Sequence, residues 1–96
     1  MTETNKIQND HLALYLGTNN LCMSCKIRKE ELLYLESKLT NVKFYELDVN
    51  MCQELVIKYQ IKKIPFFIIS KDGMVIDLFY TYPSLEHLYY KLVKEV

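Results

Sequence analysis

The 96-residue sequence predicts a single α/β domain in which helices flank a mixed, four-stranded sheet. Apolar runs of strand length alternate with helical patterns along the chain, and an Asp-Gly pair separates the last two of these runs. Half of the residues are apolar, which is enough for a modest core. Because helix-linked strands pair in parallel and hairpin strands pair antiparallel, we expect a mixed sheet.

The first half of the chain predicts a strand, a helix and a second strand. Residues 11–17 (HLALYLG) form an apolar run of strand length, and turn-forming residues follow at 18–20. From Cys22 or Met23 to Leu39 the apolar spacing becomes helical, and residues 42–49 (VKFYELDV) form a β-branched and aromatic run. The residues expected on the buried face of the helix are Ile27, Leu32, Leu35 and Leu39.

A short helix and a third strand are predicted next. Asn50, with Gln53 three residues later, is expected to cap a helix that ends near Tyr59. Pro65 then precedes FFIIS, residues 66–70, and this continuous apolar run is typical of a strand buried on both faces.

The last part of the chain predicts a hairpin and a helix. Asp72-Gly73 lies between residues 66–70 and residues 74–80, and this dipeptide favours a tight β-turn in which both residues have positive φ. Ser84 is expected to cap the final helix. Its apolar residues recur at helical spacing and predict one buried stripe: Leu85, Leu88, Tyr89, Leu92, Val93 and Val96.

The N-terminus and the overall charge restrict the expected partners. Residues 1–10 (MTETNKIQND) are expected to form a polar N-terminal segment of this domain, 1–96, in which a short helix can form. They contain no apolar run of the kind a secretory signal needs. Lys plus Arg and Asp plus Glu number twelve each, and no later run approaches a membrane span. We therefore expect a monomer that binds neither nucleic acid nor membrane.

Three cysteines are present, which is an odd and sparse set for a secreted disulfide scaffold, so a cytoplasmic protein is expected. The pair Cys22 and Cys25 is by itself compatible with a redox couple, half of a metal site, or two incidental helix cysteines. A zinc site needs four ligands, and only Cys52, His11 and His87 remain. We therefore expect no metal or other cofactor within one subunit, although a cluster shared between subunits stays open. Cys52 itself is interpreted as a small free residue at a partly buried helix start.

Two segments together resemble the thioredoxin family: LCMSCK at residues 21–26 and ELDVNMCQELVIKYQIKKIPFFIISKDG at residues 46–73. In them a Cys-x-x-Cys pair follows the first strand and opens a helix, and Ile64-Pro65 begins the third strand. The resemblance extends over roughly Leu12 to Val96. It implies a thioredoxin-like fold and thiol–disulfide exchange with disulfide-bearing protein substrates. It also implies a thioredoxin-reductase-type or dithiol electron donor as a partner.

The position of Cys22 supports a redox role on physical grounds. At a helix N-terminus, free N–H groups and the helix dipole favour an anion, and such sites lower a thiol pKa from about 8.5 to roughly 3.5–7.5. Cys25 lies one turn further along, close enough to attack a mixed disulfide on Cys22. We therefore assign Cys22 as the nucleophile and Cys25 as the resolving thiol, with Lys26 adding positive charge beside the pair.

The resemblance also implies where a substrate lies. It implies a cis Ile64–Pro65 bond that faces the cysteines, and it implies that the backbone of Ile64 pairs with an extended substrate segment. Lys62 and Lys63 flank this groove, where they either favour acidic partners or are simply solvated. The resemblance places three further residues at the substrate: Leu21, Met23 and Ser24.

The residues around the cysteine pair depart from the family pattern. Leu16 and Phe44 occupy the positions of the family's buried Asp and its Lys partner. Because that Asp assists proton transfer for the resolving thiol, water or a side chain such as Glu46 would have to replace it. Leu21 stands where Trp is usual, and Met23-Ser24 stands where Gly-Pro is usual. Two functions are therefore predicted: an oxidoreductase, and a binding module of the same fold with weak or no turnover.

Overall fold

The computed structural model describes all 96 residues, which form one five-stranded sheet with helices packed against it. The strands are β1 (Thr2–Thr4), β2 (Leu12–Thr18), β3 (Lys43–Asp48), β4 (Phe66–Lys71) and β5 (Met74–Phe79). The helices are α1 (Met23–Lys38), α2 (Gln53–Lys58) and α3 (Leu85–Val93), and a 3-10 helix covers Val49–Met51. No helix combines the length and the apolar character that a bilayer span requires.

The sheet has the order β1-β3-β2-β4-β5 and is mixed, as predicted. β3 runs parallel to both β1 and β2, whereas β4 runs antiparallel to both β2 and β5. The β4–β5 hairpin turns at Asp72 and Gly73, whose φ angles of 52° and 84° are both positive. The turn therefore has the conformation that the Asp-Gly dipeptide predicts.

The first strand differs from the prediction. The sequence predicts four strands and allows a short helix within residues 1–10, but Thr2–Thr4 instead pairs in parallel with β3. The helix prediction is therefore wrong, and the sheet gains a fifth strand. Three polar residues at a sheet edge carry no alternating apolar pattern, so this strand leaves no signal in the sequence.

Apolar side chains cover both faces of the sheet. α1 and α3 pack on one face, where Leu14, Leu32 and Leu88 belong to one buried cluster. α2 packs on the other face, where Tyr15 and Leu55 belong to a second cluster. Because both faces are covered, the central strands β2 and β4 are buried along nearly their whole length. This explains the continuous apolar runs that predict them.

The buried face of α1 is narrower than predicted. Leu32, Leu35 and Leu39 are buried, but Ile27 is 58% exposed, so its prediction as a core residue is wrong. The reason is geometric, because a helix turns by about 100° per residue. The separation between Ile27 and Leu32 therefore rotates the isoleucine roughly 140° away from the leucine and toward solvent.

The short helix α2 is not capped as predicted. The Asp48 carboxylate accepts a hydrogen bond from the Asn50 N–H and caps the 3-10 helix, so Asn50 lies inside that turn. Cys52 precedes α2 and makes no side-chain capping bond. The Asn50 prediction is therefore wrong, because the Asp48 side chain bonds the Asn50 N–H and caps the turn that contains Asn50.

The final helix is capped as predicted, since the Ser84 hydroxyl accepts a hydrogen bond from the His87 N–H. Leu88 and Leu92 are fully buried, and Leu85 and Tyr89 are half-buried against the same cluster. The end of the predicted stripe is incorrect: Val93 and Val96 are exposed. Val96 lies beyond the end of α3 at Val93, and Val93 itself is turned by about 100° from the buried Leu92.

Candidate active site

The two cysteines lie where β2 leads into α1. Cys22 is the N-cap of the helix and Cys25 lies in its first turn. Their Cα atoms are 5.2 Å apart, which is within the range of disulfides, and the two sulfur atoms are bonded to each other. The spacing of the pair and the helix start together place both sulfurs at one end of the sheet.

The two sulfurs differ in their surroundings. Cys22 is half-buried, whereas Cys25 is only 2% exposed. The Cys22 sulfur accepts a hydrogen bond from the Cys25 N–H at 3.2 Å and lies 3.4 Å from the Ser24 hydroxyl. No acidic residue occupies the first turn of α1, so nothing offsets the positive end of the helix dipole. This environment suits negative charge on the Cys22 sulfur.

Asn19 holds the loop that carries Cys22. Its side-chain oxygen accepts a hydrogen bond from the Leu21 N–H at 2.9 Å, and its carbonyl accepts one from the Cys22 N–H at 3.4 Å. The sequence predicts only a turn at Asn19. It does carry a signal for this role, because an asparagine often bonds the backbone two residues later and so fixes a turn.

The second part of the site comes from the segment before β4. The Ile64–Pro65 peptide bond is cis, and both residues are half-buried. The next residue, Phe66, pairs with Gly17 across the β2–β4 ladder. The register therefore brings the start of β4 to the end of β2, which is the end that leads to Cys22.

Close packing of Gly17 against Phe66 maintains this arrangement. A Cβ atom added at Gly17 would lie 1.9 Å from the Phe66 ring, so only glycine leaves space for that ring. The other predicted neighbours of the cysteines point to solvent: Leu21 is 92% exposed, and Met23, Ser24 and Lys26 are exposed as well.

Apolar residues fill the core between α1 and the sheet. Leu16 and Phe44 are both buried in the same cluster as the core face of α1. Glu46, in register with Leu16 on the next strand, has a side chain that is 15% exposed and forms an ion pair with Lys29 at 3.0 Å. Lys29 lies one turn beyond Cys25 on α1. The carboxylate that the sequence singles out is therefore held by a lysine of the active-site helix.

A polar cluster fixes α1 to the segment before α3. The Tyr82 hydroxyl donates a hydrogen bond to Glu31 at 2.6 Å, and Arg28 bonds the same carboxylate. The Arg28 guanidinium also lies over the Tyr82 ring, 5.4 Å from its centre. Burial, followed by the bond to Glu31, raises the pKa of Tyr82 above its ordinary value. The sequence gives no signal for this cluster, because Tyr82 lies far along the chain from Arg28 and Glu31.

An open groove of about 510 Å³ adjoins the loop that carries Cys22. We call it the α2 groove, and its lining residues are Asn19, Val49, Gln53, Val56, Ile57, Ile61, Lys62, Lys63 and Ile64. Asn19 also holds the loop that carries Cys22, and Ile64 directly precedes Pro65. The groove is therefore continuous with both parts of the candidate site.

Cys52 lies outside this site. It is buried among apolar residues of the α2 side of the sheet, which include Tyr15 and Leu55, and it forms no disulfide. Burial, with a smaller effect of the Asp48 charge, raises the pKa of its thiol. No group of three or more His, Cys, Asp and Glu side chains in the structure is arranged to hold a metal ion.

Comparison with known sequences matches the chain to one family over most of its length. The sequence profile described as thioredoxin matches residues 3–93. The thioredoxin-like protein YusE of Bacillus subtilis is 31% identical over 93 residues, which are 97% of this chain and 86% of that protein. Horse thioredoxin is 36% identical over a shorter stretch of 58 residues, 60% of this chain and 55% of that protein.

Solved structures agree on the architecture. Mitochondrial thioredoxin 3 from Saccharomyces cerevisiae aligns with a TM-score of 0.81 at 18% identity, covering 98% of this chain and 94% of that one. Thioredoxin from Trypanosoma brucei brucei aligns with a TM-score of 0.80 at 21% identity, covering 97% and 88%. At these identities the likeness establishes the fold, which is the α/β class predicted from the sequence.

Proposed function

The chain belongs to the thioredoxin family, and on this premise we propose that it is a thiol–disulfide oxidoreductase acting through Cys22 and Cys25. The observation that supports this most strongly is the difference between the two sulfurs. Cys22 is partly exposed at the positive end of α1 and accepts an N–H hydrogen bond, whereas Cys25 is buried one turn behind it. This difference suits an attacking thiolate in front of a resolving thiol.

In the proposed reaction, the Cys22 thiolate of the reduced protein attacks one sulfur of a substrate disulfide. The substrate bond breaks, a mixed disulfide forms, and the first substrate sulfur leaves as a thiolate that takes up a proton. Cys25 then loses its proton and attacks the Cys22 sulfur, which releases the second substrate thiol and closes the Cys22–Cys25 disulfide. Two electrons pass to the substrate, and the same steps in reverse oxidise a dithiol.

We propose that an extended substrate segment lies against the backbone of Ile64 and beside Pro65. Added strands bind through main-chain hydrogen bonds, which leaves the side chains free to contact neighbouring pockets. The exposed side chains of Leu21 and Met23, together with Ser24, are proposed to contact the same segment. Their exposure around the half-buried Cys22 sulfur supports this role.

The proposed partners are disulfide-bearing proteins and a thioredoxin-reductase-type or dithiol electron donor. We further propose that the protein acts as a monomer in the cytoplasm. The relative potentials of the couple and of its partners set the direction of electron flow, because every step is reversible.

Reduction of insulin disulfides with dithiothreitol as the electron source tests the function. The parent protein should accelerate the reduction, and both Cys22→Ser and Cys25→Ser should lose turnover. Cys52→Ala provides the matched control and should retain the parent rate, because Cys52 lies on the other face of the sheet from Cys25 and forms no disulfide. Parent-like rates in both active-site variants would exclude the proposed chemistry.

A binding module of the same fold is the second candidate. It is favoured by the buried apolar residues Leu16 and Phe44, which supply no acid or base at the positions where the resemblance implies an Asp and its Lys partner. The pH dependence of Cys22 alkylation in the reduced protein separates the two. Half-maximal reactivity well below the free-thiol pKa of about 8.5 supports the oxidoreductase, whereas a value near it without insulin turnover supports the binding module.

A further inference from the structure

We propose that the α2 groove selects substrate segments in which acidic side chains lie beside apolar ones, and that Lys62 and Lys63 are the residues that make this selection. The inference rests on the proposed function and specifies its substrate class.

The floor of the groove is apolar. Five of its nine lining residues are hydrophobic. Val49 precedes α2, Val56 and Ile57 lie within it, and Ile61 and Ile64 lie between it and Pro65. Ile57 is 76% exposed, which is unusual for a large apolar side chain that has no partner within the chain. An apolar side chain of a bound segment would remove this surface from water and gain free energy in proportion to the area covered.

The charge of the groove has one sign. Lys62 and Lys63 are its only charged residues, and no Asp or Glu lines it. Neither lysine takes part in any of the ion pairs of the structure. The chain as a whole is neutral, so these two lysines form a local excess of positive charge. Its complement on a bound segment is a carboxylate.

Lys62 and Lys63 lie on a segment that Tyr80 holds in place. The hydroxyl of Tyr80, directly after β5, accepts a hydrogen bond from the Lys62 N–H at 3.0 Å. The Lys63 ammonium group lies 5.4 Å from the centre of the Tyr80 ring. Because the lysine segment is already positioned before substrate binds, less binding energy is spent on ordering that segment.

The groove is also joined to the reacting sulfur. Asn19 forms one wall, and the same residue bonds the backbone of Leu21 and Cys22. Ile64 forms another wall and precedes Pro65. A segment whose cysteine meets Cys22 therefore reaches the lysines within a few residues of that cysteine. The selection acts on the sequence that flanks the substrate disulfide.

Two synthetic disulfide peptides test the proposal. They share length and apolar residues and differ only in two charged positions beside the cysteine, which are Asp in one peptide and Lys in the other. At low ionic strength the parent should reduce the acidic peptide with a kcat/KM roughly three- to tenfold higher, as expected for exposed charge pairs. At 0.5 M salt, where the Debye length is about 4 Å, the two rates should converge.

Charge reversal supplies the variant and its control. Lys62→Glu/Lys63→Glu should invert the preference, and the neutral Lys62→Gln/Lys63→Gln should abolish it. The control is Lys43→Glu/Lys94→Glu, which changes net charge equally at the far end of the sheet. Lys43 pairs with Ala13 at the start of β2, and Lys94 adjoins Glu95, whose carboxylate reaches Lys71 at the end of β4.

The outcomes separate the two proposals. Equal reduction of both peptides by the parent overturns the groove inference while the proposed function stands. The same holds if the control variant shifts the preference as far as the groove variant does. A parent that reduces neither peptide and no insulin overturns the proposed function, and the inference with it. Inversion in the groove variant alone supports the assignment of Lys62 and Lys63.

Discussion

Replacing Gly17 by alanine should destabilise the fold and disturb the site. The added Cβ would lie 1.9 Å from Cε2 and 2.1 Å from Cζ of the Phe66 ring. Ordinary van der Waals contact begins at 3.4 Å, so the ring would have to move by about 1.5 Å. Phe66 is completely buried and adjoins Pro65, so no open space accepts the ring and any movement reaches the candidate substrate site.

The magnitude follows from the size of this overlap. Overpacking of a well-packed core costs roughly 1–3 kcal/mol, and a rigid aromatic ring in contact with a backbone position belongs at the upper end of that range. We expect a loss of about 2–3 kcal/mol in the free energy of unfolding, which lowers the Tm of a domain of this size by roughly 10–20 °C.

Urea unfolding of four proteins measures the effect: the parent, Gly17→Ala, Phe66→Leu and the double variant. Leucine is smaller than phenylalanine, so the double variant should regain stability relative to the sum of the single changes. Insulin reduction by Gly17→Ala should fall as well. A Gly17→Ala protein within about 0.5 kcal/mol of the parent, or strictly additive effects in the double variant, would refute this account of the β2–β4 contact.

Three further predictions concern individual side chains. The Tyr45 hydroxyl donates to Asp10, and this hydrogen bond, with burial, raises the pKa of Tyr45 to about 12. Because the unfolded chain ionises this phenol near pH 10, the parent should lose stability between pH 10 and 12 relative to Tyr45→Phe, as measured by urea unfolding at each pH. Tyr82→Phe removes the bond to Glu31 and should lower stability by about 1 kcal/mol in the same assay, and an unchanged midpoint would contradict its role. The thiol of Cys52, buried and with a raised pKa, should react with iodoacetamide only after unfolding, and mass spectrometry of the native, reduced protein would reveal earlier labelling.

Much of the fold is predictable because its strongest signals are local. The run FFIIS predicts β4 since a strand covered on both faces must be apolar throughout, and Asp72-Gly73 predicts the hairpin since few other residues accept positive φ. β1 carries no such signal, because a short polar edge strand is defined only by its partner β3. Ile27 shows the opposite failure: its apolar character suggests burial, but its angular position on α1 decides against it.

The candidate site is predictable only where one motif contains it. Cys22 and Cys25 are recognisable because their spacing and the helix start lie within one short segment. Asn19 is also recognisable in part, because its side chain bonds the backbone only two residues later. The role of Tyr80 depends on a tertiary contact with Lys62, and no local pattern encodes such a contact. The same holds for the α2 groove, whose walls come from three separate parts of the chain.

Trapping of the mixed disulfide tests the central claim most directly. Each single variant, Cys22→Ser and Cys25→Ser, is reduced, incubated with an oxidised protein substrate, quenched with acid and analysed by non-reducing mass spectrometry. Cys25→Ser should accumulate a covalent adduct through Cys22, since the resolving thiol is absent, and Cys22→Ser should accumulate none. An adduct that forms through Cys25 in Cys22→Ser, or equal trapping in both variants, would contradict the assignment of Cys22 as the nucleophile.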